Sequence, residues 1–117
     1  MPFTLVIRSR RDDEGAQASE RVFDQPVVTI GRAATADLVL KDPQRMVSSR
    51  HGEIRRQGAS WILVDLGSTN GTELNEVRLT ARNEYGLKNG DRIRLGDNLL
   101  TFKAVVPPQE ISRASQP

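Results

Sequence analysis

Cysteine is absent from this chain of 117 residues, and histidine occurs once, at His51. Without thiolates, neither disulfide bonds nor cysteine-ligated metal sites can form. The carboxylates are scattered, and the acidic run Asp12-Asp13-Glu14 lacks the ligand spacing of a calcium-binding loop. We therefore expect no metal ion and no cofactor, and the lack of cysteine is consistent with a reducing cytoplasm.

Long apolar runs are also missing. No stretch approaches the roughly 20 apolar residues that span a bilayer. The start, Met1-Pro2-Phe3-Thr4, lacks the basic and then apolar layout of a signal peptide. We expect a cytoplasmic protein that has no membrane partner.

A strong excess of one charge is lacking too, because 17 basic and 15 acidic residues leave a net charge of +2. Fourteen of the basic residues are arginine, whose planar guanidinium binds phosphate in a bidentate way but also commonly lies on solvated strand faces. The calculated pI near 9.5 supports one alternative function, a basic nucleic-acid-binding β module. The small net charge and the aromatic content of 4% argue against nucleic acid, and a salt titration would distinguish the two.

The length predicts a single domain. The pattern of apolar residues along the sequence is that of an all-β protein. Short apolar runs separated by turn signals about every 8–12 residues are typical of a sandwich or barrel. No window keeps a helical period over three turns, and the nearest, residues 72–82, is interrupted by Asn75 and β-branched residues. We expect strands at Phe3–Arg8, Glu20–Phe23, Val27–Ile30, Leu38–Leu40, Glu53–Arg56, Trp61–Val64, Arg92–Leu95 and Asn98–Phe102.

Turn signals and composition indicate how these strands are connected. Residues 57–60 and the pair Gly96-Asp97 predict two hairpins, the second of them tight. The charged run at residues 10–15 predicts a solvated loop, and Trp61 is expected to pack in the core. We expect the domain to occupy residues 1–106, because residues 107–117 are rich in Pro, Ser and Gln and resemble a linker or loose tail.

Three polar motifs lie between the apolar runs, on loops that could converge. They are Gly31-Arg32, Ser48-Ser49-Arg50-His51 and Gly67-Ser68-Thr69-Asn70-Gly71-Thr72. Glycine permits a sharp turn before Arg32, so that the arginine projects from a rigid strand end. An arginine, small hydroxyls, an amide and glycine backbone suit the binding of a phosphate and the peptide beside it.

Each motif has an alternative interpretation. Ser48 or Ser49 with His51 could form the nucleophile and base of a small hydrolase, but catalysis also needs an orienting group and an oxyanion hole. Residues 67–71 resemble a G-x-S-x-G elbow with Thr in the middle, yet no helix is expected to follow. Residues 65–72 also resemble the phosphate loop of actin-like sugar kinases, whose two lobes exceed this chain, and Asn70-Gly71 alone could be a simple turn.

In order and spacing, the three motifs resemble the forkhead-associated (FHA) domain, a reader of phosphothreonine peptides. The resemblance runs from about Phe3 to Lys103 and includes the later stretch Leu87–Gly96. It implies a twisted β-sandwich of two antiparallel sheets with the binding loops at one end. It also implies a binding module without catalytic activity, that is, not an enzyme.

The resemblance assigns roles to individual residues. Arg32 matches the main phosphate anchor, Ser48 and Thr69 match hydroxyl donors, and Asn70 matches the amide that holds the main chain of the partner. At Ser49 many relatives carry Arg, Lys or Asn as a second phosphate contact, so Arg50 is the candidate to replace it. The residues expected to brace the site are Gly31, His51, Gly71 and Asn75, and the candidates for specificity are Arg45, Met46 and Ser68.

The resemblance also implies a class of partner, namely a phosphothreonine protein that a bacterial Ser/Thr kinase has modified. Residues 42–48 resemble a loop of FHA proteins in bacterial type VI secretion, so signalling and secretion both stay open. In relatives, the threonine methyl enters a small apolar niche. We therefore expect a preference for phosphothreonine over phosphoserine.

Overall fold

A computed structural model describes residues 2–9, 19–40 and 45–104. The expected loop at residues 10–15, the expected tail at 107–117 and the start of the secretion-like loop at 42–44 lie outside these residues. Within the described part, no helix is long and apolar enough to cross a membrane.

The described residues form eleven strands in two sheets, which confirms the all-β sandwich. The strands are β1 (Phe3–Ser9), β2 (Ser19–Phe23), β3 (Val27–Gly31), β4 (Leu38–Val39), β5 (Gly52–Gln57), β6 (Ser60–Asp65), β7 (Glu73–Leu74), β8 (Val77–Arg78), β9 (Tyr85–Leu87), β10 (Arg92–Leu95) and β11 (Asn98–Ala104). The six-stranded sheet has the order β2-β1-β11-β10-β7-β8, and the five-stranded sheet has the order β4-β3-β5-β6-β9.

Strand pairing is antiparallel except between β3 and β4, which are parallel. This pair departs from the expectation of purely antiparallel sheets. It forms because Leu38 returns beside Ile30 after a short loop and buries its side chain in the core. The loop that separates them carries Arg32.

The core lies between the sheets and is built by alternating side chains. In β10, Ile93 and Leu95 are buried while the neighbouring arginines are exposed, as the period of a strand requires. The Phe3 ring of the six-stranded sheet packs edge-on against Trp61 of the other sheet, with 4.6 Å between ring centroids. Trp61 is only 4% exposed, which confirms its expected place in the core.

The register of the five-stranded sheet brings together three strand ends at which loops begin or end. Ile30 pairs with Gly52, and Gly52 pairs with Asp65. The end of β3, the start of β5 and the end of β6 are therefore adjacent. The loops that carry the three sequence motifs leave the sheet at these positions.

Candidate functional site

At the end of β3, the backbone of Gly31 lies very close to the backbone of the loop that carries Ser48 and Ser49. A Cβ atom at this position would overlap the carbonyl oxygen of Ser49. The neighbouring amides of Arg32 and Ala33 donate to the carbonyls of Ser48 and Ser49, at 3.1 and 3.3 Å. Gly31 lies within β3 and has no left-handed φ, so the interpretation as a turn residue was wrong. Glycine is required here because two backbone segments touch.

Arg32 follows directly after Gly31, and its side chain is half-buried. One nitrogen of its guanidinium is held by a hydrogen bond. Its Nε donates to the carbonyl of Val47 at 3.2 Å. A guanidinium has five N–H donors, so the terminal amino groups still have donors to offer. The bond to Val47 restricts the rotamers of the side chain. The cation is therefore preorganised at the edge of the loop cluster, by which we mean the loops that carry Arg32, residues 45–51 and residues 66–72.

Ser48 connects the second loop to the third. Its Oγ accepts a hydrogen bond from the amide of Thr69 at 3.0 Å. The hydroxyl proton of Ser48 is left for another acceptor. Asn70 makes a second link, because its Nδ2 donates to the carbonyl of Met46 at 2.8 Å. The amide oxygen of Asn70 is then oriented to accept a hydrogen bond from a ligand.

His51 is fully buried beneath these loops. Its Nδ1 accepts from the amide of Ser48 at 3.0 Å, and its Nε2 lies 2.8 Å from the carbonyl oxygen of Gly71. This pair of bonds requires a neutral ring with the proton on Nε2. Because Nδ1 accepts from the amide of Ser48 and Nε2 donates to the carbonyl of Gly71, both ring nitrogens are engaged by main-chain groups. The geometry therefore gives no support to a Ser–His nucleophile pair.

Asp65 holds the third loop and was not among the predicted site residues. Its carboxylate accepts from the amides of Gly67 and Ser68 at 2.8 Å, and from the hydroxyls of Ser68 and Thr72 at 2.6 Å. Burial raises the pKa of Asp65, but the hydrogen bonds from Ser68, Thr72 and Gly67 outweigh it and hold the pKa below its usual value. The sequence signal is Asp followed by Gly and Ser, the pattern of an Asx turn.

The Ser68 hydroxyl belongs to the same network. It donates to Asp65 and accepts from the amide of Gly71 at 3.0 Å. The side chain of Ser68 is therefore engaged within the loop and is not presented to a ligand. These bonds brace the loop, and the specificity role expected for Ser68 stays a prediction.

A second carboxylate anchors the loop that carries Arg32, and the sequence analysis missed it as well. Asp37 accepts from the amide and the hydroxyl of Thr29 at 2.9 and 3.1 Å. The hydrogen bond from the Thr29 amide is the main reason why the pKa of Asp37 lies below its usual value. No local pattern indicates this contact, because the two residues lie eight positions apart.

Asn75 braces a neighbouring junction and not the binding loop itself. Its Nδ2 donates to Asp91 at 3.0 Å, and its Oδ1 accepts from the amide of Arg92 at 2.9 Å. These bonds fasten the β7–β8 turn to the start of β10. The support that Asn75 gives to the binding loops is therefore indirect.

The remaining candidates lie around the loop cluster. Ser49, Arg50 and Arg45 are exposed, and Met46 is 36% exposed. A Cβ atom on Gly96 would lie 3.0 Å from the Cβ of Met46, so the β10–β11 turn reaches this end of the sandwich.

The assembled site offers one preorganised cation, several hydroxyls and an oriented amide. Among residues 2–9, 19–40 and 45–104, no group of three or more His, Cys, Asp or Glu side chains could hold a metal ion. The donors converge from different loops, as recognition of an oxyanion requires. This arrangement suits binding of a phosphorylated ligand.

Comparison with protein families gives a match to the FHA domain over residues 28–96. One similar curated protein is an oxoglutarate dehydrogenase inhibitor of Corynebacterium diphtheriae, 40% identical over 98 residues, which cover 84% of this chain and 63% of that protein. The glycogen accumulation regulator GarA of Mycolicibacterium smegmatis is 37% identical over 75% of this chain and 53% of its own length. The chain thus spans less than two thirds of these relatives.

Solved structures show the same fold. One belongs to a study of phosphothreonine-dependent FHA domain interactions, with a TM-score of 0.71 and 33% identity over 92% of this chain and 100% of that one. A second is the FHA domain of FhaA crystallised in a complex, with a TM-score of 0.70 and 35% identity over 86% of this chain and 99% of its own.

Proposed function

The chain belongs to the FHA domain family, and from this premise we propose that it binds phosphothreonine peptides and has no catalytic activity of its own. The observation that carries the proposal is the convergence of Arg32, Ser48 and Asn70 on one end of the sandwich. Each of these side chains is oriented by a bond to a neighbouring loop. The site is therefore formed before a ligand arrives.

The mechanism is electrostatic and geometric. A phosphothreonine carries nearly two negative charges at neutral pH. The terminal amino groups of Arg32 bind two of its oxygens, and the hydroxyls of Ser48 and Thr69 donate to the phosphate. Asn70 fixes the main chain of the peptide through its amide oxygen, and Arg50 supplies the second charge that Ser49 does not provide.

The relatives support a regulatory role. Two of them are named as an inhibitor and as a regulator, and one solved neighbour was studied for phosphothreonine-dependent interactions. We propose that the partner of this chain is a cytoplasmic protein phosphorylated by a Ser/Thr kinase. Arg45 and Met46, on the segment whose Met46 carbonyl holds Asn70, select the residues that follow the phosphothreonine.

Phosphate dependence is the direct test. A phosphothreonine peptide is expected to bind at least about 100-fold more tightly than its unphosphorylated form, because each charge-assisted bond contributes about 1.5–3 kcal/mol. Arg32→Ala should remove this difference and lower the free energy of unfolding by only about 1 kcal/mol, the value of its bond to Val47. Isothermal titration calorimetry and thermal melting measure the two effects.

Arg56→Ala is the matched control, because Arg56 is exposed near the end of β5 that lies away from the site. It should retain full binding. Equal affinity for the phosphorylated and unphosphorylated peptides would contradict the proposed function.

Selectivity for threonine is a separate prediction. Replacing phosphothreonine by phosphoserine removes one methyl, which is worth about 0.8 kcal/mol when buried, so binding should weaken about fourfold. Fluorescence polarisation with both peptides in one sequence frame measures the ratio. A ratio near one would show a pocket that reads the phosphate alone.

A further inference from the structure

Two arginines outside the expected site lie against the glycines that bound the Thr69-Asn70 loop. A Cβ atom on Gly71 would lie 2.9 Å from Cζ and Nη2 of Arg78 and 3.0 Å from its Nε. These nearly equal distances mean that the flat face of the guanidinium covers the Gly71 backbone. At the other end of this loop, Nη2 of Arg82 lies 3.5 Å from the corresponding position on Gly67.

The positions of both arginines are determined by the fold. Gly71 has φ of +84°, and its missing side chain leaves the space that the Arg78 guanidinium fills. Arg82 has φ of +70°, and its amide donates to the carbonyl of Asp65 at 2.8 Å. The Arg82 backbone is thus attached to the strand end from which the loop begins.

Neither guanidinium is neutralised within the part of the chain that the structure describes. No described carboxylate oxygen lies within 4.0 Å of Arg78 or Arg82, although Glu73 is the cross-strand neighbour of Arg78. Asp65, beneath the loop, is already saturated by four hydrogen bonds. Both side chains are exposed, so two cations face solvent beside the loop.

We propose that Arg78 and Arg82 form a second anion subsite, which takes an acidic side chain of the same peptide whose phosphothreonine occupies the first site. The inference rests on the proposed function. Gly67 and Gly71 each lie two residues from Thr69, and an extended peptide advances about 3.3–3.6 Å per residue. Because both guanidiniums lie against the loop that carries Thr69, the acidic group is expected within a few residues of the phosphothreonine. A carboxylate and a second phosphate offer the same chemistry here.

The experiment uses one phosphothreonine frame with neutral flanking residues. A series places a single Glu at each position up to four residues on either side of the phosphothreonine. At least one Glu position should bind the wild-type protein about fivefold more tightly than the neutral peptide, as expected for two partly exposed charge contacts. Replacing that Glu by phosphothreonine distinguishes the sources, because a larger gain identifies phosphate as the preferred anion.

The double variant Arg78→Gln/Arg82→Gln should bind the neutral phosphothreonine peptide within twofold of the wild type, and the gain from the acidic residue should disappear. Arg56→Gln removes a charge from an exposed site far along β5 and should keep the gain. Thermal melting of each variant confirms that it is folded.

The outcomes separate the two proposals. If the neutral phosphothreonine peptide binds and no acidic position improves its affinity, the second subsite is wrong and the proposed function stands. A gain that survives in the double variant also overturns the subsite, since other residues must then provide it. If the neutral peptide does not bind at all, the proposed function itself fails.

Discussion

Single side chains with no expected contact to a ligand determine the geometry of the site. Asp65 fixes one loop through four hydrogen bonds, and His51 joins two loops through its two ring nitrogens. Because both residues are buried, their bonds are protected from competing water. The groups proposed to bind phosphate are thus positioned by a layer of buried polar residues.

Asp65→Asn tests this layer. Asparagine keeps one acceptor oxygen but turns an NH2 group toward the hydroxyls of Ser68 and Thr72. We expect the free energy of unfolding at pH 7 to fall by about 2 kcal/mol, in the range of a charge-assisted bond in a buried site. Urea denaturation measures the loss. An unchanged free energy of unfolding would mean that the network contributes nothing net.

The same pair of proteins gives a pH dependence. The folded-state pKa of Asp65 is below its usual value of 3.8, so its contribution is complete above that pH and is lost as pH falls through the folded-state pKa. The gap between wild type and Asp65→Asn should narrow below about pH 3.8. Asp37 is present in both proteins, so its contribution to the pH dependence cancels in the difference between their free energies of unfolding. A gap that stays constant down to pH 2 would contradict this assignment.

Individual site residues could be predicted from the sequence only in part. Arg32, Ser48 and Asn70 were predicted because their types and spacing follow a family pattern, and the structure links the loops that carry them by hydrogen bonds, while their contact with a ligand stays a prediction. Asp37 was missed since its partner Thr29 is distant in the chain. The reason for Gly31 was misjudged because a close approach of two backbones leaves no local signal, whereas a turn does.

At the level of elements, the β7–β8 turn has two non-glycine residues in left-handed backbone. Asn75 and Glu76 have φ of 51° and 72°, as a two-residue type I′ turn requires. Asparagine tolerates this conformation, but a residue with a longer side chain such as Glu pays about 1–2 kcal/mol for it. The turn therefore carries strain at Glu76.

Glu76→Gly should relieve this strain and raise the free energy of unfolding by about 0.5–1 kcal/mol, the balance of strain relief and lost chain entropy. The matched control is Glu20→Gly, because Glu20 is an exposed residue of β2 with ordinary strand backbone. The control should be destabilised by a similar amount. Thermal melting distinguishes the expected gain in stability of Glu76→Gly from the expected loss in Glu20→Gly. A loss of stability in both variants would contradict the prediction.

Elements with strong turn signals were predicted well. The hairpins around Gly58 and around Gly96-Asp97 are confirmed, and their strands match within one or two residues at most ends. The strands β7, β8 and β9 were not predicted, since two or three residues cannot display a period. β7 and β9 are positioned by pairing with the longer strands β10 and β6, and β8 is positioned by the turn that pairs it with β7.

For the whole molecule, the N-terminal strand joins both layers. Phe3 is 1% exposed and packs against Phe23, Trp61 and Phe102. Phe3→Ala should cost about 3–5 kcal/mol, because the cavity would lie between the two sheets. Val22→Ala, at a neighbouring residue that is 66% exposed, should change stability by less than about 0.5 kcal/mol. Similar losses from both variants in chemical denaturation would argue against a core centred on Phe3.

The fold class followed from strand spacing, but the sheet order did not. β1 pairs with β11, so Phe3 lies opposite Ala104 across nearly the whole described chain. No local pattern encodes such a pairing. It arises because the apolar faces of all strands must be buried against each other, and that condition is met only by the assembled sandwich.

Many of the contacts that position the site engage main-chain atoms: the carbonyls of Met46, Val47 and Gly71 and the amides of Ser48 and Thr69. Every residue except proline, which lacks the amide proton, carries these groups, so the scaffold places few demands on the exposed side chains at positions 49 and 50. Position 45 is more restricted, because Arg45 has a left-handed φ of 54°. Substitutions at the other two positions can accumulate without loss of the fold. Randomised libraries at positions 49 and 50 should therefore stay soluble and folded while their ligand preferences diverge, which makes these loops a natural starting point for selecting new phosphopeptide readers.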